Sequence, residues 1–389
     1  MSDVLALSAT RIFDGETFHG SGNGEAALLV RDETILAIVS RNEIPAGSEI
    51  VDAGDMIAPG FVDLQVNGGG GAMLNDHPTV EGIETICRAH APFGTTALLP
   101  TLITDTKEVT DRAIAAGIEA GRRKVPGFAG LHLEGPHLSL ARKGAHDPKL
   151  IRPMTEDDLA ALIAARGQLP ALLTTVAPES VTPGQVTALS RAGIVVSLGH
   201  TDTNCATARV YAEAGATMAT HLFNAMSQIG NREPGLVGAA LDDGRLSAGL
   251  IADGIHVDPA NIGIALRAKR GPGRIVLITD AMATIGTGMT SFTLNGRTIH
   301  RKDGRLTLAD GTLAGADLDM IAAVRFLHET IGLDLAESLR MASLYPAQAI
   351  GAADRLGRLV PGSTANMVAL TQNLDMSGIW IGGKRVFPV

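Results

Sequence analysis

Apolar residues follow two different rhythms along this chain. Over roughly the first 55 residues, and again near the end, they come in short alternating stretches such as AALLVRDETILAIVS (26–40). These are cut by Asp14-Gly15, Gly22-Asn23-Gly24, Pro45-Ala46-Gly47, Pro361-Gly362 and Gly382-Gly383. Alternation bounded by such turn residues predicts hairpins with one buried face. The two ends share this style, and chain termini commonly lie close together. Residues 1–56 and 355–389 are therefore read as one small β-sandwich domain around an inserted domain.

Between the ends, continuous apolar runs alternate with longer segments of helical period. There are eight runs: IAPGFVDLQVN, TTALLPTLI, GFAGLHLEG, LLTTVAPE, IVVSLGHT, TMATHLFN, SAGLIADGIH and RIVLITDAM. Unbroken apolar runs mark strands covered on both faces, and segments such as EDDLAALIAARG and NCATARVYAEAG supply the crossovers that parallel neighbours need. Eight such units predict a (β/α)8 TIM-type barrel over residues 57–354. A doubly wound open sheet finds no G-x-G-x-x-G after the first run and no order-reversing connection. SFTLNGRTIHRKDGRLTLADGTLAG (291–315) reads as a β insertion placed to overhang the barrel mouth.

Composition narrows the function classes. With 389 residues, 45% of them apolar, the chain can bury a large core. A net charge of −9, without runs of like charge, leaves no cationic surface for a phosphate backbone, so nucleic acid is excluded as a partner. Cys87 and Cys205, the two cysteines, cannot build a disulfide framework or a thiolate zinc site. The N-terminus lacks the pattern of a secretory signal, and no apolar run reaches the length of a membrane span. A soluble cytoplasmic protein is expected.

Polar groups gather at the C-terminal ends of the runs: Gln65 and Asn67, Thr101, His132 and Glu134, Glu179, His200, His221 with Asn224, Asp253 with His256, and Asp280. Barrels build active sites from these ends and the loops that follow. Glu134, His200 and His221 are the best metal triad, since two imidazoles and a carboxylate leave one tetrahedral position open, as in hydrolytic zinc sites. Singly, each histidine is better explained as a hydrogen-bonded cap on a buried strand. The equivalent placement of the three on runs three, five and six favours a ligand set. Asp280 is placed to take a proton from water and return it to a leaving group. Arg232 and His256, with the backbone around Asn224 and Ala225, are anion candidates. A surface arginine, and a loop histidine paired to Asp253 or Asp258, explain them equally well. Gly68 to Gly71 read as a tight turn near the site, since a glycine run lacking the P-loop lysine is a weak phosphate signal. His19, His77, His90, His300 and His328 fall away from the strand ends and are assigned no chemistry.

Taken in order, APGFVDLQVNGGGG, HLEGPHL, KGAH, LGHT, THLFNAM, NREPG, ADGIHVD and ITDAM resemble the motifs of the N-acetylglucosamine-6-phosphate deacetylases of the amidohydrolase superfamily, over about residues 10–385. The resemblance implies a metal-dependent barrel with a small β-sandwich that hydrolyses N-acetyl-D-glucosamine 6-phosphate to D-glucosamine 6-phosphate and acetate in amino-sugar catabolism. It places the metal ligands on Glu134, His200 and His221 and the catalytic aspartate on Asp280. It gives His146 of KGAH the task of polarising the acetamide carbonyl and stabilising the oxyanion. His146, Asn224, Ala225, Arg232 and His256 are the implied substrate contacts, some reaching in from the neighbouring subunit of a homodimer.

Three positions depart from the pattern. The wider superfamily carries H-x-H on the first strand for a second metal, whereas Gln65-Val66-Asn67 stands here. Amide oxygens are poorer ligands than imidazole, so one divalent ion is expected, zinc first among the first-row ions that a two-His, one-Glu site accepts. His137 replaces an apolar or aromatic residue, and Ala316 a common serine. Competing readings are the same chemistry on N-acetylgalactosamine 6-phosphate or on a cyclic amide, and a barrel that has lost catalysis. The last would lack a ligand or the base, and Glu134, His200, His221 and Asp280 are all present.

Overall fold

Eight parallel strands form the central sheet of the computed structural model, which describes residues 4–20 and 25–388. They are β1 (Phe61–Val66), β2 (Thr95–Ile103), β3 (Leu131–Glu134), β4 (Leu172–Val176), β5 (Val195–Leu198), β6 (Met218–Ala219), β7 (Ser247–Leu250) and β8 (Ile275–Leu277). The turn expected at Gly22-Asn23-Gly24 lies outside the described residues. Neighbours in the sheet are neighbours in sequence. The sheet returns on itself through the Val66–Ala281 bridge and an Asp280 N–H donated to the Gln65 carbonyl at 2.9 Å, so the architecture is a (β/α)8 barrel.

Seven helices alternate with the strands: α1 (Val80–His90), α2 (Lys107–Arg122), α3 (Glu156–Arg166), α4 (Pro183–Arg191), α5 (Cys205–Ala214), α6 (Gly235–Asp242) and α7 (Pro259–Ala268). The first five have their starts written in the sequence. Thr79, Thr106, Thr155, Thr182 and Asn204 each accept the backbone N–H three residues on, satisfying a donor that the helix itself leaves unpaired.

The seam between β1 and β8 is closed partly by a side chain. β8 is three residues long, and beyond it buried Asp63 of β1 accepts the Thr279 hydroxyl at 2.5 Å and the Thr279 N–H at 3.2 Å. Burial pushes the Asp63 carboxyl up to about 7.

The apolar run at 57–67 is two strands rather than one. Met56–Pro59 pairs antiparallel with Met367–Leu370 in a six-stranded sheet built from both chain ends, and the chain then crosses at Gly60 into β1. A Cβ at Gly60 would sit 2.1 Å from Thr96 Oγ1, so only glycine lets the crossing pass this close to β2. A four-stranded sheet of N-terminal strands faces the six-stranded one. Leu7, Leu28 and Val30 from the first meet Ile12, Ile57, Met367 and Trp380 from the second in one apolar core, making a β-sandwich. Four antiparallel strands at Ser291–Leu294, Arg297–Lys302, Arg305–Thr307 and Leu313–Ala316 follow the barrel's last strand.

One buried histidine makes the fold sensitive to acid. His90 at the end of α1 donates from Nε2 to the Gly68 carbonyl at 2.9 Å, and burial holds its pKa down to about 4. The unfolded chain therefore takes up a proton near pH 6.5 that the native ring refuses, so this contribution to stability is complete above pH 6.5 and is lost as pH falls toward 4. Urea unfolding is expected to show a loss on the order of 2 kcal/mol from this group between pH 7 and pH 5. His90→Gln is expected to flatten that slope; an unchanged slope rejects the assignment.

Candidate active site

The side chains that matter here stand just past the strands, where the backbone turns sharply. Glu134 is the last residue of β3, while His200, His221 and Asp280 lie two, two and three residues beyond β5, β6 and β8. Those three have φ of +47°, +26° and +52°, values that side-chain-bearing residues adopt at a cost and that concentrate at functional sites. Runs five, six and eight are thus shorter as strands than their apolar stretches suggest, because the backbone leaves the extended region where the polar residues begin.

These residues converge on one buried point. His221 Nε2 lies 3.1 Å from Glu134 Oε1 and 3.1 Å from His200 Nε2, and His200 Nε2 lies 3.3 Å from the same Oε1. The far side of each ring decides its tautomer. His200 Nδ1 faces the Arg142 carbonyl at 2.8 Å and His221 Nδ1 the Asn224 carbonyl at 3.1 Å. Carbonyls only accept, so both Nδ1 atoms carry a proton, and in the neutral rings both Nε2 atoms are left with lone pairs toward the carboxylate. Two lone pairs and an anionic oxygen at this range call for a cation between them. Their separations, 3.1 to 3.3 Å, lie at or a little below the donor spacing of about 3.3 to 3.6 Å around a tetrahedral ion with bonds of about 2.0 to 2.2 Å. Among the described residues this is the one cluster of three such side chains able to hold a metal ion.

Asp280 stands beside the cluster and is held by amides. Gln65 Nε2 donates to both Glu134 Oε1 and Asp280 Oδ1, each at 3.1 Å, and Asn67 Nδ2 donates to Asp280 Oδ1 at 2.7 Å. The Gln65-Asn67 pair therefore presents N–H donors to carboxylates. Burial, and then the charge of Glu134, push the Asp280 carboxyl upward. His146 approaches from the loop after β3, with Nε2 3.7 Å from Glu134 Oε2; burial, reinforced by His200, pushes its pKa down to about 3 and keeps it neutral. Gly144 (φ +55°) makes that approach possible, since a Cβ there would lie 3.1 Å from His200 Cε1.

A cavity of about 400 Å³ opens above the cluster. It is lined by Asn67, Glu134, His146, His200, His221, Asn224, Ala225, His256 and Asp280, and by Leu294, Thr312, Leu313 and Gly315 of the β insertion, which does overhang the mouth. His256 gives Nδ1 to Asp253 Oδ2 at 2.6 Å, leaving Nε2 without a partner; Asn67 Oδ1 is likewise buried and unpaired. Both residues line the cavity, where such atoms await a ligand.

Several residues singled out in the sequence lie elsewhere. Arg232 is exposed in its loop and outside the cavity. His132 is enclosed in the barrel interior, bonded to the Thr101 and Thr175 hydroxyls. Glu179 braces a loop by accepting from Thr201 and Asp202. His137 lines an outer cleft with Arg152 and Asp158. Gly68, Gly70 and Gly71 donate their N–H groups to the carbonyls of Ala281, Ile285 and Ala283, so this run is a turn docked on the loop after β8. Arg142, at the cavity wall, and Thr104, behind His146, carry no motif that marks them in sequence.

A barrel whose strand ends bring two imidazole lone pairs, a carboxylate and an amide-held aspartate together under a cavity defines the class: a metal-dependent hydrolase of the TIM-barrel type. The model of the amidohydrolase family matches residues 56–386, and the chain belongs to that family, in its amino-sugar 6-phosphate deacetylase branch. It is 42% identical, over 86% of its length and 84% of the relative's, to N-acetylgalactosamine-6-phosphate deacetylase of Shewanella sp. strain ANA-3. It is 37% identical, over 92% and 94%, to N-acetylglucosamine-6-phosphate deacetylase of Haemophilus influenzae. The crystal structure of N-acetylglucosamine-6-phosphate deacetylase from Pasteurella multocida superposes with TM-score 0.93 at 34% identity, covering 98% of this chain and 99% of that one. An alanine variant of the Mycobacterium smegmatis enzyme, in complex with N-acetyl-D-glucosamine 6-phosphate, superposes with TM-score 0.90 at 31% identity and 99% coverage of both chains.

If Glu134, His200 and His221 are the ligand set, His221→Ala lowers divalent-metal affinity more than about tenfold, read by elemental analysis after dialysis. His137→Ala, on the outer cleft, leaves metal content unchanged. Full metal in His221→Ala rejects the assignment.

Proposed function

We propose that this chain hydrolyses the acetamide of N-acetyl-D-glucosamine 6-phosphate to D-glucosamine 6-phosphate and acetate, in amino-sugar catabolism. The observation that carries this reading is the Asp280 carboxylate, fixed by Gln65 and Asn67 beside the Glu134, His200, His221 cluster at the floor of a sugar-sized cavity. One divalent ion, zinc by the donor set, belongs in that cluster; when bound, it lowers the pKa of a water and polarises a carbonyl. The Gln65 and Asn67 amides, used as donors to Asp280, leave no imidazole pair for a second ion.

In this reading Asp280 takes the proton of the attacking water and passes it to the departing amine, with Asn67 and Gln65 holding its oxygen in line. Neutral His146 donates from Nε2 to the acetamide oxygen and stabilises the charge that develops there. His256, paired with Asp253, and the Asn224-Ala225 backbone hold the phosphate end. Arg232, exposed and outside the cavity of its own chain, is suited to reach the cavity of a second copy in a homodimer. Two buried free cysteines, Cys87 and Cys205, accord with a reducing cytoplasm. The galacto epimer is the second reading, favoured by the substrate named for the Shewanella relative.

Acetate release from the gluco 6-phosphate, its galacto epimer and unphosphorylated N-acetylglucosamine, with metal-analysed protein with and without zinc, tests this directly. Metal-dependent release fastest from the gluco 6-phosphate is expected. Asp280→Asn is expected to keep its metal while losing about 10²- to 10⁴-fold in turnover. Preference for the galacto epimer selects the second reading, and no release from any of the three overturns both.

A further inference from the structure

A neutral imidazole can turn either a donor or a lone pair toward a cavity, and the choice is set by what holds the other nitrogen. His146 Nδ1 lies 3.3 Å from the backbone N–H of Thr104 and 2.8 Å from the Thr104 hydroxyl. A backbone N–H can only donate. An Nδ1 that receives it carries no proton, so the proton of the neutral ring stands on Nε2, the atom nearest Glu134. Thr104 is itself fixed, as a buried residue that is the first past β2, and with Nδ1 unprotonated its single hydroxyl proton is donated along the short 2.8 Å contact to that nitrogen. Gly135 leaves the room, since a Cβ there would fall 2.2 Å from Thr104 Oγ1.

We infer that Thr104 is a positioning residue for the deacetylation, holding His146 in the tautomer that presents Nε2–H to the cavity. Three imidazoles crowd this site, with ring centroids 4.4 Å apart for His146 and His200 and 4.9 Å for His200 and His221. What faces each Nδ1 sorts them. Backbone carbonyls behind His200 and His221 leave lone pairs on Nε2 and make ligands of them, whereas a backbone N–H behind His146 leaves a proton on Nε2 and makes a donor. Thr104 thereby keeps a third imidazole from closing the open metal position and aims an N–H at the carbonyl to be attacked. The tautomer follows from geometry alone; its use on an acetamide oxygen rests on the proposed deacetylation.

Nitrogen NMR of the zinc-supplemented protein, labelled with ¹⁵N-histidine, reads the tautomer without turnover, and His146→Gln identifies the signals by their loss. An unprotonated Nδ1 and a proton-bearing Nε2 are expected; the reverse pattern overturns the inference. In kinetics, Thr104→Val, which keeps the backbone N–H but removes the hydroxyl that donates the shorter bond to Nδ1, is expected to lower kcat by about 10- to 100-fold with KM little changed, and Thr104→Ser, which keeps the hydroxyl, to restore most of it. Full turnover in Thr104→Val, or equal losses in both variants, overturns the positioning role. If the wild type releases no acetate while the Nε2–H tautomer is present, the substrate reading falls and the tautomer assignment stands.

Discussion

A carboxylate buried at the floor of the barrel mouth is the constraint that organises this molecule. Removing Glu134 from water is costly unless every face of its charge is met. One oxygen is met by Gln65 Nε2, His221 Nε2 and His200 Nε2, all within 3.3 Å. The two imidazole nitrogens bring lone pairs to that oxygen, so the arrangement is complete only around a cation. Glu134, His200 and His221 occupy three different strand ends, which means that the candidate metal site and the barrel fold describe one requirement: strands 3, 5 and 6 must be delivered in order and at the same height.

Asp280 depends on a different part of the same construction. It follows the eighth strand and is held by amides of the first, so its position is set by closure of the seam. Asp63 takes the place of a ladder there by accepting the Thr279 N–H, and the backbone of Asp280 is clamped from both sides, its N–H donated to the Gln65 carbonyl and its carbonyl accepting the Ala316 N–H at 2.9 Å. Ala316 ends the last strand of the insertion that overhangs the cavity. The overhang and Asp280 are therefore one mechanical unit. Arg297 of the insertion also donates to the carbonyl of Ala145, tying the segment that carries His146 to the same roof.

Much of this was legible in the chain. Unbroken apolar runs reveal strands covered on both sides, because a strand wedged between helices and a packed barrel interior has no polar face to display. Segments of helical period such as EDDLAALIAARG and NCATARVYAEAG revealed helices between the strands, and the structure adds the threonine and asparagine caps that start five of them. Glu134, His200, His221 and Asp280 stood out because charged and imidazole groups at the ends of apolar runs have few places to go except a shared site. Family motifs added His146, which no periodicity marks.

The tertiary structure decided what depends on partners distant in sequence. It divided the run at 57–67 at Gly60, because crossing between two sheets is a matter of clearance against Thr96. It turned Gly68 to Gly71 toward the carbonyls after β8, enclosed His132 in the barrel, set His137 on an outer cleft and left Arg232 exposed. It also assigned opposite tautomers to neighbouring histidines. A residue's type and spacing record whether it can bind a metal or move a proton. Which nitrogen carries the proton is settled by a carbonyl or an N–H from elsewhere in the chain, 58 residues away for His200 and 42 for His146, and only folding brings that group alongside.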